Sequence, residues 1–321
     1  MKKQDYIEIY KKIFLIRSVE KKISEEYSKQ EMRCPVHLSV GQELVPSILS
    51  LFLNKKDKMI STHRCHAHYL SKNGNLNKMI SEIYGKKTGC AKGKGGSMHL
   101  VDKNEGFIGT SAIVGHNIPV GVGMALSLKI KKKKDLVVIF LGDGAIEEGV
   151  FFESLNFAII KKLPILFICE NNLYSVYSSL KVRQPIKRKI YKMVSSFGIK
   201  SISSDGYNLD HSFKVLNKSI KNLRKGSGPI FLEFNTYRFL EHCGPNNDDY
   251  LNYRSKKELS YWKKRDPIPR LRKKIINNNL LDKKNLIKIE KNIEKKILFA
   301  FNFAKKSKYP NPKEIFDNLY A

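Results

Sequence analysis

Two polar sequences, each following an apolar run, carry side chains suited to binding a metal ion. Asp143 stands between glycines directly after the run 136–141, and Asn172 lies shortly after the run 165–169. A right-handed crossover between parallel strands would bring both strand ends together, where carboxylate and amide oxygens suit Mg²⁺. A helix predicted from residue 146 would direct its positive N-terminus at an anion. The pattern predicts a metal-bound diphosphate, with an Asp-Gly turn and an unrelated Asn pair as the alternative.

The histidines form a second group that could take part in chemistry. Five of the eight lie between residues 37 and 99, and His63 and His66 flank Arg64 closely. No distant pair of His or Cys has the spacing that would complete a zinc site, so the group predicts contacts to phosphate or a carboxylate. His242 lies in a polar loop after the apolar run 229–234, where a surface turn and a ligand contact are both compatible with the pattern.

Apolar periodicity predicts the elements that position these side chains. The strand-like runs alternate with helical patterns, which is typical of a mostly parallel sheet flanked by helices. The predicted helices cover 5–28, 119–131, 146–162, 190–197, 209–224 and much of 256–321, and the Gly-rich stretch 85–115 is predicted to be irregular. We therefore predict a single α/β domain over residues 1–321, with a helical N-terminal arm (1–35) and a helical C-terminal extension (256–321).

Composition indicates an ordinary globular chain. Of the 321 residues, 41% are hydrophobic and 28% are charged, and no apolar run is long enough to cross a bilayer. The net charge of +30 comes mostly from lysines spread along the chain. In 283–306 these lysines lie mostly outside the apolar helical face, so a solvated surface is favoured over nucleic-acid binding. The five cysteines show no Cys-x-x-Cys spacing. We expect a cytoplasmic protein with neither a membrane nor a nucleic-acid partner.

Several motifs, taken in order, resemble one family. They are Val36–Glu43, Gly93–His99, Ile113-Val114-Gly115, Gly142-Asp143-Gly144-Ala145 with Asn171-Asn172 downstream, Thr236-Tyr237-Arg238, Tyr253-Arg254 and Asp266-Pro267-Ile268. From about residue 5 to its end, the chain resembles the alpha subunit of thiamine-diphosphate-dependent 2-oxo acid dehydrogenases. This is the E1 class, which includes the pyruvate and acetoin dehydrogenases.

The resemblance implies a role for each matching residue. The implied Mg²⁺ ligands are Asp143, the Asn172 side chain and the Tyr174 backbone carbonyl. The implied cofactor-binding residues are His63, Arg64, Ala112, Val114, Asp143, Gly144, Ala145, Asn172, Tyr174 and His242, with Arg64, His63 and His242 at the phosphates and Ala112 and Val114 at the aminopyrimidine. The implied catalytic residues are His66, His242 and His37. All three would lie close to the cofactor and the 2-oxo acid.

The resemblance also implies a reaction and partners. A pyruvate-like 2-oxo acid would be decarboxylated, or acetoin cleaved, with thiamine diphosphate and Mg²⁺, and the acyl group would pass to a lipoyl group on a separate acyltransferase (E2). In this family a beta subunit supplies the acid that activates the aminopyrimidine. A chain of 321 residues with one sheet domain has no second domain to supply that acid. We therefore expect an α₂β₂ heterotetramer and an inactive isolated chain.

One loop departs from the family pattern. Leu240, Glu241 and Cys243 stand where many relatives have His, Gly and Ser. Because this loop is expected over the cofactor entrance, a second interpretation stays open. It is a transketolase-like or acyl-transferring subunit that uses thiamine diphosphate in a sugar or polysaccharide pathway.

Overall fold

Six parallel strands form the central sheet of the computed structural model, which describes residues 1–32 and 34–317. The strand order is β2-β1-β3-β4-β8-β7, and a separate antiparallel pair joins β5 to β6. The strands are β1 (Lys58–Ser61), β2 (Phe107–Thr110), β3 (Val137–Gly142), β4 (Ile165–Asn171), β5 (Tyr174–Ser175), β6 (Ser178–Ser179), β7 (Lys200–Asp205) and β8 (Ile230–Asn235). Every neighbouring pair in the six-stranded sheet is parallel, which confirms the predicted fold class.

Helices cover both faces of this sheet. They are α1 (Lys3–Tyr27), α2 (Leu44–Leu49), α3 (His66–Ser71), α4 (Leu76–Ile83), α5 (Asn117–Ile130), α6 (Gly149–Ile160), α7 (Leu180–Arg183), α8 (Ile190–Ser195), α9 (Leu209–Arg224), α10 (Lys256–Lys264), α11 (Pro267–Asn277) and α12 (Lys283–Lys306). Within the described residues, none of these helices combines the length and apolar character needed to cross a membrane.

The central strands are buried on both faces because side chains alternate across the sheet. Val138 and Phe140 of β3 belong to one core, together with residues of α1 and α12. Val137 and Ile139 belong to the other, together with residues of α5 and α6. The continuous apolar runs of β3 and β4 therefore reflect double-sided burial, and they place the two strand tips at the middle of the sheet.

Three strands of the six-stranded sheet, together with the short pair β5 and β6, were not predicted from the sequence. β1 and β2 have four residues each, and β2 lies inside the stretch predicted to be irregular. β7 is an edge strand with the sequence Lys-Ser-Ile-Ser-Ser-Asp, and only Ser204 of it is buried. Short strands and polar edge strands lack the apolar pattern on which the prediction depends.

The helix predicted to begin at residue 146 begins later in the structure, so its predicted start is wrong. Asp143–Glu147 forms a 3₁₀ turn, Glu148 has extended backbone, and α6 begins only at Gly149. The N-terminus of α6 is thus six residues beyond Asp143, and a tight turn at the tip of β3 positions the carboxylate instead.

The N-terminal helix is part of the main core. Ile9, Ile13 and Ile16 of α1 are fully buried, and α1 packs against α11 and α12. Within the predicted C-terminal extension, α10, α11 and α12 are helical as expected, and residues 318–321 lie outside the described residues. α12 also packs against α4. The two terminal segments thereby support each other and the sheet.

Candidate active site

A cavity opens at the carboxyl ends of β3 and β4, where Gly142 and Glu170 are paired in register. This is the edge at which open α/β sheets bind their ligands. The lining residues that the sequence singled out are His37, His63, Arg64, Ala112, Val114, Asp143, Gly144, Ala145, Asn172, Tyr174 and His242. The fold thus brings together every predicted site residue except His66.

Asp143 and Asn172 meet in the wall of this cavity. The Asp143 side chain is only 2% exposed. Burial raises the pKa of its carboxyl above the ordinary value, while the Arg183 guanidinium and the Asn172 backbone N–H act in the opposite direction. The backbone of the second strand tip therefore acts directly on the carboxylate of the first, as the predicted crossover requires.

A tight turn after β4 presents Asn172 and Tyr174 to the cavity. Leu173 has a φ of 73°, in the left-handed region that side chains other than glycine seldom adopt. The Tyr174 N–H donates to Asn172 Oδ1 at 3.1 Å, and the Tyr174 hydroxyl donates to Glu258 of α10 at 2.9 Å. Because its ring is held against α10, Tyr174 keeps its backbone next to the metal-ligand candidates.

Arg64 is a buried guanidinium with no carboxylate partner among residues 1–32 and 34–317. It donates to the backbone carbonyls of Leu38 and His242 at 2.8 and 3.0 Å. Burial lowers the pKa of Arg64 to about 9, so the group is charged at neutral pH. An unpaired buried cation in a cavity wall calls for an anionic ligand.

Three histidines from separate loops surround the same part of the cavity. One ring nitrogen each of His37, His63 and His242 lies within 4.8 Å of the others. The sequence spacing did not indicate this meeting, because the chain returns to this point in two loops far apart in sequence. Burial first, and then Arg64, lowers the pKa of His37 to about 2, of His63 to about 4 and of His242 to about 3. All three imidazoles are neutral at pH 7.

This cluster predicts a pH dependence of stability. Below pH 6.5 the unfolded chain binds protons at these histidines while the folded chain does not, so the free energy of unfolding falls as the pH is lowered towards 4. The upper limit is about 1.4 kcal/mol per pH unit for each histidine. We expect His63→Gln and His242→Gln to lose less stability than the wild type between pH 7 and pH 5 in chemical denaturation. His116→Gln, which replaces an exposed imidazole, is the control; equal losses in all four proteins would contradict the prediction.

His66 lies outside the cavity wall. It is fully buried, and its two ring nitrogens lie 3.0 Å from Glu20 Oε2 and 2.8 Å from Ser97 Oγ. With both nitrogens engaged, His66 links α1 to the loop that precedes Met98, a cavity-lining residue. The structure therefore places it behind the site.

The sequence reasoning did not single out Gln42, Glu170 or Arg183. Gln42 Nε2 donates to Glu170 at 3.3 Å, and the Asn172 amide donates to Gln42 Oε1 at 3.3 Å, so this pair orients a metal-ligand candidate. Gln42 falls within one of the family motifs, and Glu170 precedes the Asn pair. Arg183 carries no sequence signal, because it is one basic residue among many.

The fold and the cavity define a parallel α/β protein with a cavity at the tips of its central strands. Residues 11–313 match the family model described as the dehydrogenase E1 component, and the chain belongs to that family. The resemblance found in the sequence is confirmed.

Relatives with related names cover nearly the whole chain. It is 36% identical over 319 residues to the pyruvate dehydrogenase E1 component subunit alpha of Rickettsia bellii, covering 99% of this chain and 97% of the relative. It is also 36% identical over 325 residues to the chloroplastic pyruvate dehydrogenase E1 component subunit alpha-3 of Arabidopsis thaliana, covering 99% and 75%. The corresponding subunit of Porphyra purpurea is 34% identical, with 99% and 94% covered.

Proposed function

We propose that this chain is the alpha subunit of an enzyme that decarboxylates a pyruvate-like 2-oxo acid with thiamine diphosphate and Mg²⁺. The observation that carries the proposal is the meeting of Asp143 and Asn172 at two adjacent strand tips, in a cavity that also holds the unpaired Arg64. The curated relatives named pyruvate dehydrogenase E1 component subunit alpha support the same function.

The residues present fit a bound diphosphate and metal. Arg64 offers a buried positive charge, and the buried Nδ1 of His37 has no hydrogen-bond partner among the described residues. At Gly144 a Cβ would lie 2.8 Å from Ser175 Oγ, so the backbone of this turn is closely covered by the β5 turn. Charge, a free polar atom and a glycine turn converge on one cavity.

Each group would be held by a separate part of this wall. Asp143, the Asn172 amide oxygen and the Tyr174 carbonyl would hold Mg²⁺, since hard cations prefer oxygen ligands. Arg64, His63 and His242 would contact the phosphates. The backbone of Gly144 and Ala145 would contact the diphosphate end of the cofactor as well. Ala112 and Val114 would contact the aminopyrimidine ring at its other end. When bound, the thiazolium ring supplies the electron sink for decarboxylation.

The histidines would offer hydrogen bonds near the substrate. His37 and His242 are neutral at pH 7, so each can donate one hydrogen bond and accept another at its two ring nitrogens. His66 is engaged by Glu20 and Ser97, and we assign it the positioning of Ser97 and the adjoining loop. His37 and His242 are therefore the better candidates for direct contact with the 2-oxo acid.

Exposed apolar residues at the mouth of the cavity support the proposal of a partner subunit. Ile113, Val114 and Val176 line the cavity, yet their side chains are 69%, 44% and 44% exposed. An apolar rim around a charged cavity is typical of a surface that another protein covers. We assign this surface to a beta subunit in an α₂β₂ assembly, which would also supply the acid that activates the aminopyrimidine. A lipoyl acyltransferase is the proposed acceptor of the acyl group.

The test is a substrate panel on the chain co-purified with its beta subunit. We expect decarboxylation of pyruvate or another small 2-oxo acid, measured by CO₂ release, and acyl transfer to a lipoyl domain. Activity should require both subunits, thiamine diphosphate and Mg²⁺. If only acetoin were cleaved, the substrate would be acetoin rather than a 2-oxo acid, and the family would be unchanged. If only ketose phosphates were turned over, the transketolase-like alternative would be favoured. Turnover by the isolated chain would contradict the proposal of a shared site.

A further inference from the structure

The metal position proposed beside Asp143 is next to a cationic side chain. The Arg183 guanidinium forms an ion pair with Asp143 Oδ2, and its other terminal nitrogen lies 2.6 Å from Glu147 Oε1. Its Nε donates to the Ser178 carbonyl at 3.1 Å. Arg183 therefore neutralises a carboxylate that is otherwise buried and free to bind a cation.

The segment that carries Arg183 is held largely by these polar contacts. All four residues of α7 are exposed or half-buried, and Val182 and Ile186 are 77% and 84% exposed. Gln184 adds a hydrogen bond to Glu147 at 2.9 Å. A segment with little apolar burial opens at low free energy, so Arg183 can leave Asp143 without unfolding the sheet.

A guanidinium and a divalent cation compete for the same carboxylate. Two positive groups held a few ångströms apart repel each other, and the repulsion is strong where water is excluded. The Asp143 side chain is buried and that of Arg183 is mostly buried, so solvent screens them poorly. Binding a metal at Asp143 therefore requires Arg183 to withdraw or to give up part of its ion pair.

We propose that Arg183 is the resident counter-ion of Asp143 and that the divalent cation must displace it, so that this arginine lowers the affinity for the metal. The inference rests on the proposed function of Asp143 as a metal ligand. It identifies Arg183 as a residue that sets the metal concentration at which the site becomes loaded.

The experiment measures Mn²⁺ affinity in the α/β complex at saturating thiamine diphosphate, with free Mn²⁺ followed by electron paramagnetic resonance. We expect Arg183→Gln to bind Mn²⁺ about tenfold more tightly than wild type. Arg188→Gln is the matched control, because Arg188 is an exposed residue of the same segment and its replacement removes the same charge. Arg183→Lys keeps the positive charge but changes the geometry of the hydrogen-bond donors. Its Mn²⁺ affinity is expected to lie between those of the wild type and Arg183→Gln.

The outcomes separate this inference from the proposed function. If wild type, Arg183→Gln and Arg188→Gln bind Mn²⁺ equally, or if Arg183→Gln binds more weakly, the inference is overturned while the metal site stands. If no protein binds Mn²⁺, or if Asp143→Asn binds it as well as wild type, the proposed metal site fails as well. Should Arg183→Gln fold poorly, the Arg183→Lys complex decides the question, because affinity equal to wild type would overturn the inference.

Discussion

Asp143→Asn is expected to weaken the binding of Mg²⁺ and thiamine diphosphate by at least about 100-fold in calorimetry on the α/β complex. The substitution keeps the shape of the side chain but removes the negative charge of the proposed metal ligand. The strand should remain folded, since Val137–Phe140 of β3 are fully buried by apolar packing. Loss of binding would therefore reflect the ligand rather than the fold.

The control for this substitution lies on β8, which is two strands away from β3 in the sheet. Glu233 of β8 is also a buried carboxylate, but it accepts hydrogen bonds from the Asn171 side chain at 2.8 Å and from the Tyr191 N–H at 3.0 Å. Glu233 does not line the cavity. Glu233→Gln should leave cofactor affinity within a fewfold of wild type, and affinity unchanged in Asp143→Asn would contradict the metal assignment.

Asp248→Asn is expected to destabilise the chain by about 3–5 kcal/mol, because it removes the buried carboxylate that pairs with two buried arginines. Asp248 is 1% exposed and pairs with Arg254 and, at 3.4 Å, with Arg238. Arg238 in turn donates to the Leu240 carbonyl at 2.7 Å. The cluster therefore holds the start of the loop that carries His242 over the cavity.

The measurement is urea denaturation of the wild type, Asp248→Asn and Asp249→Asn under the same conditions. Asp249 is the adjacent residue, is partly exposed and lies 3.7 Å from Arg254, so its replacement should change stability by less than about 0.5 kcal/mol. Asp248→Asn should also bind thiamine diphosphate more weakly, since His242 loses its support. Equal stability of the two variants would contradict the role of the cluster.

The strand tips could be predicted because two independent patterns coincide there. The apolar runs that form β3 and β4 are long and buried on both faces, and each ends in polar residues with small or amide side chains. Topology then brings Asp143 to Asn172 without any further information. The turn details could not be predicted, because the 3₁₀ segment and the left-handed Leu173 depend on packing against residues far along the chain.

The histidines show the limit of spacing arguments. His37 and His242 reach His63 only because separate loops return to the same strand tips. The local sequence around each histidine does not indicate that these loops meet. The family motifs supplied the placement instead. They could not reveal that both ring nitrogens of His66 are engaged by Glu20 and Ser97, which depends on how α1 packs over α3.

Arg183 lay beyond sequence reasoning for a different reason. Sixty basic residues give the chain a uniform background in which one arginine has no distinguishing pattern. Its ion pair with Asp143 arises from the short β5–β6 turn and α7, elements too small to leave an apolar period. The proposed effect of Arg183 on metal loading could therefore be inferred only from the folded chain.

The most direct test of the central claim is a crystal structure of the α/β complex with thiamine diphosphate and Mn²⁺, read from the anomalous signal of the metal. We expect one strong peak bonded to the Asp143 carboxylate, the Asn172 amide oxygen and the Tyr174 carbonyl, with the diphosphate beside Arg64. A metal peak elsewhere, or a diphosphate bound away from the tips of β3 and β4, would contradict the account.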